Sequence, residues 1–372
     1  MKILYVSTIS NTINAFLVPH INMLIEYGNT VDIACKVMRP IDEKLTKIGC
    51  TVHEIEFSRT PFKNQYLKLI KKIKDLVRNG NYEIVHTHTP IASAIVRIAC
   101  RNLKNVKIIY TAHGFHFYNG APLINWLTYY PIERYLAKYT DILITINQQD
   151  YEKTKDFKST YSFYVPGVGV DIDNNNMSER EKAELKETLN ITSNNVFISV
   201  GELNNNKNQK IVIDAFSRLK DKDFQYLIVG KGPNKDKLYD LIREYNLEDK
   251  IQLLGYRDDV NHLFQVSDIF IFPSYREGLS RSLMEAMSVG LPAIVTDIRG
   301  NTDLVDQQKG GLLFNPTNSD DLAKEIQTLM DSSELQDKFG SYNFKKINSY
   351  STQNVLVKMK KIYALAENIN KG

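Results

Sequence analysis

Pro273-Ser274-Tyr275-Arg276-Glu277-Gly278-Leu279-Ser280-Arg281-Ser282-Leu283-Met284-Glu285-Ala286-Met287-Ser288-Val289-Gly290-Leu291-Pro292-Ala293-Ile294-Val295-Thr296 reads as loop, helix, turn and strand, and it comes directly after the strand-like run Ile269-Phe270-Ile271-Phe272. Gly278 lets the backbone pass close to a ligand, Ser280 or Ser282 can cap the helix, and the unpaired amides of its first turn make a site for phosphate. Glu277 precedes the helix and Glu285 lies within it, with seven residues between them. One carboxylate therefore sits beside the phosphate-binding turn and the other about two turns further along. Both accept hydrogen bonds from hydroxyl groups.

The same alternation extends outward along the chain. Ile3–Val6, Val31–Ala34, Ile84–His86, Lys107–Thr111 and Ile142–Thr145 read as strands, separated by helices at Asn14–Tyr27, Gln65–Asn79, Ala92–Arg101 and Leu123–Lys138. Apolar strands buried on both faces, each succeeded by a helix of 3.6-residue period, imply a parallel, doubly wound sheet. Residues 166–176, rich in turn formers, read as a linker, and the charged helix Ser178–Leu189 comes next. A second series then begins, with strands at Val196–Val200, Tyr226–Val229, Ile251–Leu254, Ile269–Phe272 and Ala293–Thr296. Its helices fall near Gln209–Leu219, Lys235–Tyr245, Val260–Val266, Ser282–Ser288 and Asp320–Asp331. The expected architecture is α/β, with Rossmann-like domains at 1–170 and 171–350 and a C-terminal helix in 351–372 packing back on the first. Such sheets hold ligands beyond the carboxyl ends of their strands, so two facing sheets define a cleft.

A chain of 372 residues suits two domains. Its 43% hydrophobic and 24% charged residues are those of a soluble globular protein. No apolar run nears the roughly 18 residues of a membrane span, and the start, Met1-Lys2-Ile3-Leu4-Tyr5-Val6-Ser7, is too short in apolar residues for a signal-peptide core. Cys35, Cys50 and Cys100 form no Cys-x-x-Cys, so neither a disulfide framework nor a zinc knuckle is encoded and a cytoplasmic location is expected. Residues 1–170 hold 21 Lys and Arg against 13 Asp and Glu, while the remainder holds 26 against 30. A basic half joined to a mildly acidic half points to an anionic surface or ligand met by the first half.

Further loops leave strand ends. Ser199-Val200-Gly201-Glu202-Leu203-Asn204-Asn205-Asn206-Lys207 carries a lysine, and Val229-Gly230-Lys231-Gly232-Pro233 lacks the third glycine of a dinucleotide fingerprint. Leu254-Gly255-Tyr256-Arg257-Asp258-Asp259 ends another strand; Arg257 either meets a ligand or pairs with Asp258 or Asp259. Tyr110-Thr111-Ala112-His113-Gly114 puts His113 at a carboxyl end, where a cleft residue belongs. His86-Thr87-His88 leaves a strand end too, and without a third ligand it reads as structural rather than metal-binding.

The chain, over essentially its whole length, resembles the family-four retaining glycosyltransferases of the GT-B fold, whose donor site carries Glu, seven residues, Glu and then a Gly-x-Pro turn. The resemblance implies that Glu285 holds the ribose hydroxyls of a nucleotide and Glu277 contacts the donor sugar. It further implies that the amides at Gly278, Leu279 and Ser280 meet the diphosphate or sugar, that Lys207, after Gly201, binds the diphosphate, and that His113 touches the donor hexose. Arg257 lies in the turn that meets the base in that family. Glu202 stands where the family commonly has Arg, and the glycine-rich loop after the first strand is replaced by Ser7-Thr8-Ile9-Ser10-Asn11-Thr12. The stretch from His113-Gly114-Phe115-His116-Phe117-Tyr118 through Trp126 to Glu133 is similar to bacterial exopolysaccharide and capsule glycosyltransferases.

Membership of such a family would make the reaction the transfer of a hexose or N-acetylhexosamine from a UDP-sugar to a lipid-linked glycan acceptor, with retention and without a cofactor. No metal is expected. The Asp-x-Asp pairs, Asp171/Asp173 and Asp221/Asp223, fall in the linker and in a helix-to-strand loop, and Lys207 with helix-start amides can neutralise a diphosphate instead. One rival is a UDP-N-acetylglucosamine 2-epimerase of the same fold. Another is a basic nucleic-acid-binding module, against which stand the lack of aromatics interleaved with basic residues and the acidic second half, so no nucleic-acid partner is expected. Finally, Phe62, Tyr66, Leu69, Ile70, Ile73, Leu76 and Val77 form a stripe at helical spacing, with Lys63, Lys68, Lys71, Lys72, Lys74 and Arg78 on the rest of the helix. If the stripe is core, the outward lysines remain able to hold the domain on an anionic membrane.

Overall fold

The computed structural model describes residues 1–57, 63–172 and 176–369, so Phe62, Asp173 and the first two residues of the linker's Asn triplet lie outside the described residues, as does the side chain of Lys63. Two compact units result: Met1–Gly169 with Thr352–Gly372, and Val170–Ser351.

The first unit is a seven-stranded sheet: β1 Lys2–Ile9, β2 Thr30–Lys36, β3 Val52–Glu54, β4 Ile84–His88, β5 Lys107–Ala112, β6 Ile142–Thr145 and β7 Tyr161–Tyr164. All neighbours are parallel, in the order β3-β2-β1-β4-β5-β6-β7, so the winding reverses between β1 and β4. Alternation along β1 builds both faces. Ile3 and Tyr5 pack with Ile21 and Leu24 of helix Val18–Glu26 and with Val355, Met359 and Ile362 of the C-terminal helix Thr352–Glu367. Leu4 and Val6 pack with Ile73 and Val77 of helix Lys63–Asn79 and with Ile95 and Val96 of helix Pro90–Cys100. The stripe on Lys63–Asn79 is thus a core face, with Tyr66, Leu69, Ile70 and Leu76 partly buried against the same cluster. Lys68, Lys71 and Lys72 are exposed and Lys74 partly so.

The second unit is a six-stranded sheet: β8 Val196–Val200, β9 Gln225–Val229, β10 Ile251–Gly255, β11 Ile269–Phe272, β12 Ala293–Thr296 and β13 Gly311–Phe314. It too is parallel, in the order β10-β9-β8-β11-β12-β13, with its reversal between β8 and β11. The glycines after β9 serve the fold. A Cβ at Gly230, where φ is +145°, would come 1.9 Å from the carbonyl oxygen of Gly201. The two loops are joined by Leu203 N–H donating to Lys231 O at 2.9 Å.

Two local readings are corrected. The chain enters a helical turn at Ser10 directly from β1 and passes through a wide π-helical stretch, Ile13–Leu17, before Val18–Glu26, instead of starting one regular helix at Asn14. Pro19 in the first turn of that last segment has no N–H to donate to the carbonyl four residues back. The strands β3, β7 and β13, all at sheet edges, add to the expected set; β3 and β7 mix polar with apolar residues, whereas β13 is the short apolar run Leu312-Leu313-Phe314 after Gly311.

A buried ion pair ties helix Leu123–Ala137 to helix Pro90–Cys100. Arg97 donates to Glu133 at 2.8 Å, and its guanidinium lies 4.5 Å from the centre of the Tyr110 ring. Glu133→Ala leaves the arginine buried without its carboxylate, so a loss of about 3 to 5 kcal/mol is expected in urea unfolding. Replacing both partners together, Arg97→Met with Glu133→Leu, is expected to cost less than the single change.

Candidate active site

Ligand sites of doubly wound sheets form where the winding reverses, outside the carboxyl ends of the strands. In the second unit that point lies between β8 and β11, and the loops leaving these two strands carry Lys207 and Glu277. Lys207 Nζ donates to Glu277 Oε1 at 2.7 Å, and both side chains are mostly buried. The ammonium also lies 4.6 Å from the centre of the Phe272 ring. Gly201 borders the lysine stem: a Cβ there would be 3.4 Å from Cδ and Cε of Lys207. The loops are fastened by Tyr275 N–H donating to Asn206 O at 2.8 Å and by Asn206 Nδ2 donating to Arg276 O at 3.0 Å.

Behind Glu277, the turn Gly278-Leu279-Ser280 leads into helix Arg281–Ser288, where Ser280 Oγ accepts from Leu283 N–H. The cap satisfies one first-turn donor, and the others point along the helix axis toward the turn. Glu285 is paired with Arg281 on the same helix at 2.7 Å. Arg257, in the loop after β10, makes a two-pronged contact with Asp259 at 2.8 and 2.5 Å. Asp221 and Asp223 lie just before β9, at the end of the sheet opposite these loops, and Asp223 accepts from Asn194 N–H. Glu202, in the loop after β8, is exposed.

Arg299, a residue not singled out in the sequence, supports this turn. It is 6% exposed and donates to Glu277 O at 3.1 Å. Next to it, Gly300 has φ +81°, and a Cβ there would fall 2.4 Å from Gly278 O. An arginine with a glycine after it, beyond an apolar strand, is the only local signal for this support.

His113 belongs to the first unit, at the carboxyl end of β5. Period-two alternation puts His86 and His88 on one face of β4, beside Thr111 and His113. His88 Nδ1 is 3.0 Å from His113 Nε2; His86 Nε2 is 2.8 Å from Thr111 Oγ1, and its Nδ1 is 2.5 Å from the Tyr363 hydroxyl. That hydroxyl is in turn 2.6 Å from Tyr5 OH. His20 completes the group, its Nε2 2.9 Å from Val168 O. Two facing ring nitrogens share a single proton, so His88 and His113 do not both carry charge. Burial first, and the neighbouring histidines second, hold His86 and His88 well below the ordinary imidazole value and bring His113 down to about 4. His20 is lowered as well, by burial.

With this geometry in place, likeness to a solved structure gives the fold. The chain matches a UDP complex of Alr3699/HepE from Anabaena with a TM-score of 0.81, at 20% identity, over 98% of this chain and all of that one. The fold is GT-B. The model described as "Glycosyl transferase 4-like" matches residues 2–147, and "Glycosyl transferases group 1" matches residues 181–346. A putative glycosyltransferase, EpsD, of Bacillus subtilis is 32% identical over 98% of this chain and 96% of its own. A UDP-Gal:alpha-D-GlcNAc-diphosphoundecaprenol alpha-1,3-galactosyltransferase of Escherichia coli is 27% identical over 90% and 88%. The chain belongs to the family-four GT-B glycosyltransferases.

The histidine group sets a pH dependence of stability. Each member has a folded pKa below its unfolded value near 6.5, so the unfolded chain takes up protons that the folded chain refuses. The stabilisation is present above that value and is lost as pH falls toward the folded pKa, at about 1.4 kcal/mol per pH unit for each histidine. Urea midpoints are expected to fall between about pH 7 and pH 5, and His88→Phe is expected to flatten the slope.

Proposed function

We propose that the chain transfers a hexose or N-acetylhexosamine from a UDP-sugar to a lipid-linked glycan acceptor, with retention of configuration, in the building of an exopolysaccharide or capsule. The observation that carries this reading is the Lys207–Glu277 pair at the winding reversal of the second sheet, beside the capped start of helix Arg281–Ser288. An ammonium offers three donors, one of which goes to Glu277 here. The carboxylate thereby aims the lysine, and a diphosphate leaving group gains charge toward it as the sugar bond breaks. Helix-start amides add fixed positive potential, so the scheme needs no metal. Glu285 takes the ribose hydroxyls, exchanging Arg281 for the nucleotide, and Glu277 faces the donor sugar without acting as a covalent nucleophile. Arg257 borders the base. His113 addresses the donor hexose as a neutral imidazole.

The donor and acceptor classes draw on the relatives: the Anabaena structure is a UDP complex, and the Escherichia coli enzyme's name gives a UDP-galactose donor and a diphosphoundecaprenol-linked acceptor. Work at the cytoplasmic face of a membrane, through peripheral attachment, suits a lipid-linked acceptor and the basic first half of the chain. Among the described residues no helix is long and apolar enough to cross a membrane.

A donor screen read by UDP release, with and without lipid extract, tests the reading; release that never depends on an acceptor would favour the epimerase instead. Lys207→Ala is expected to lower kcat by about 2.7 to 4 kcal/mol equivalent, with a smaller loss of UDP affinity. Unchanged turnover in a folded variant would remove Lys207 from the chemistry. Glu285→Ala is expected to weaken UDP binding, because ribose contacts are made in ground and transition states alike. Calorimetry with UDP checks it.

A further inference from the structure

Helix Leu123–Ala137 is apolar on both faces. Its inner side sets Trp126 and Tyr130 against Phe115, Phe117 and Phe157, and Leu136 and Ala137 are buried. Its outer side leaves Leu123 72%, Ile124 61%, Leu127 66%, Ile132 51% and Tyr135 53% exposed. A helix apolar all round requires cover on both sides, and a contiguous apolar patch of this kind marks an interaction surface.

The charges on the same face select the partner. Arg134 and Lys138 come after the apolar turns, and the Lys138 ammonium lies 3.7 Å from the Tyr135 ring centre and 5.1 Å from that of Tyr139. The helix's one carboxylate, Glu133, is spent on buried Arg97. Two copies meeting through this face would bring cations together with no carboxylate to receive them, whereas anionic headgroups supply the opposite charge. Leucine and isoleucine at one end, with tyrosine and basic residues at the other, make the composition of a helix lying in a bilayer interface. Its 15 residues rise about 22 Å, short of a span. Pro131, without an N–H, leaves the Leu127 carbonyl without a helical donor, which water and headgroups satisfy at an interface but hydrocarbon does not.

We propose that the outer face of helix Leu123–Ala137 docks the first unit on an anionic bilayer. The helix is stapled to the loop that leaves β5 after His113: Asn125 Nδ2 donates to His116 O at 2.9 Å, and the His116 and Tyr129 rings stack at 4.6 Å. Docking therefore brings the His113 loop to the lipid interface. The inference deepens the proposed reading and rests on it for its purpose, a lipid-linked acceptor, but not for the binding itself.

Vesicles of phosphatidylcholine alone and of phosphatidylcholine with phosphatidylglycerol in equal parts provide the test. The full chain is expected to sediment with the anionic vesicles, and Trp126, its one tryptophan, is expected to be quenched by brominated lipid. Changing Leu123, Ile124 and Leu127 together to Gln should lower partitioning about a hundredfold, and Arg134→Gln with Lys138→Gln about thirtyfold at low salt. Unchanged circular dichroism melts show that the variants fold. Wild-type protein left in the supernatant, or a triple variant that partitions like wild type, would overturn the proposal. So would a dimer in ultracentrifugation that the triple variant abolishes while neither protein binds vesicles, since a second copy then covers the face. Vesicle binding without transfer to any lipid-linked acceptor would leave the docking standing and reject the acceptor reading.

Discussion

The Lys207–Glu277 ion pair spans the point where the second sheet changes its direction of winding. It forms because β8 and β11 are neighbours in space although distant in sequence, so the loops leaving them start side by side. Around the pair, backbone approaches too close for any Cβ, Gly230 to Gly201 and Gly300 to Gly278, fix where each loop begins. Arg299 closes the arrangement from the third loop. A cation placed this way has little freedom left to lose when an anionic ligand arrives, which is the physical content of preorganisation.

The first unit is built differently beside its own reversal at β1 and β4. Its carboxyl ends at β4 and β5 present a row of uncharged imidazoles in place of an ion pair. The row is joined by the Tyr363 hydroxyl at His86, so the C-terminal helix contacts the histidines directly. Neutral rings hydrogen-bond without carrying charge, whereas the second unit places a charged pair at its reversal. The asymmetric charge of the two halves does not alter that division, because the lysines on helix Lys63–Asn79 face outward from a helix whose apolar stripe is core.

The residues of the candidate site were legible because their signals are local. A strand, a Gly-Leu-Ser turn, a capped helix and two carboxylates occupy one short stretch, and Lys207 comes after a strand of its own. His113 was legible for the same reason. Arg257 kept two readings in the sequence, and its contact with Asp259 is the local one of the two. The edge strands β3 and β7, the π-helical stretch and Arg299 were not legible: those two strands mix polar with apolar residues, a wide turn comes from one missing donor, and a supporting arginine looks like any loop arginine.

The amino-acid sequence by itself determined two parallel doubly wound domains, the order of their central elements and the loops that bear the site, because period, strand composition and turn residues are properties of neighbouring residues. Tertiary structure alone decided which partners those residues have. The joining of His86 to Tyr363, 277 positions apart, depends on where the C-terminal helix comes to rest on the sheet. Likewise, the pattern of helix Leu123–Ala137 shows apolar residues all round, but only the packing of its inner face on Phe115, Phe117 and Phe157 reveals which of them are left uncovered. Burial is a relation between distant segments, and a one-dimensional pattern records the need for cover without recording what provides it.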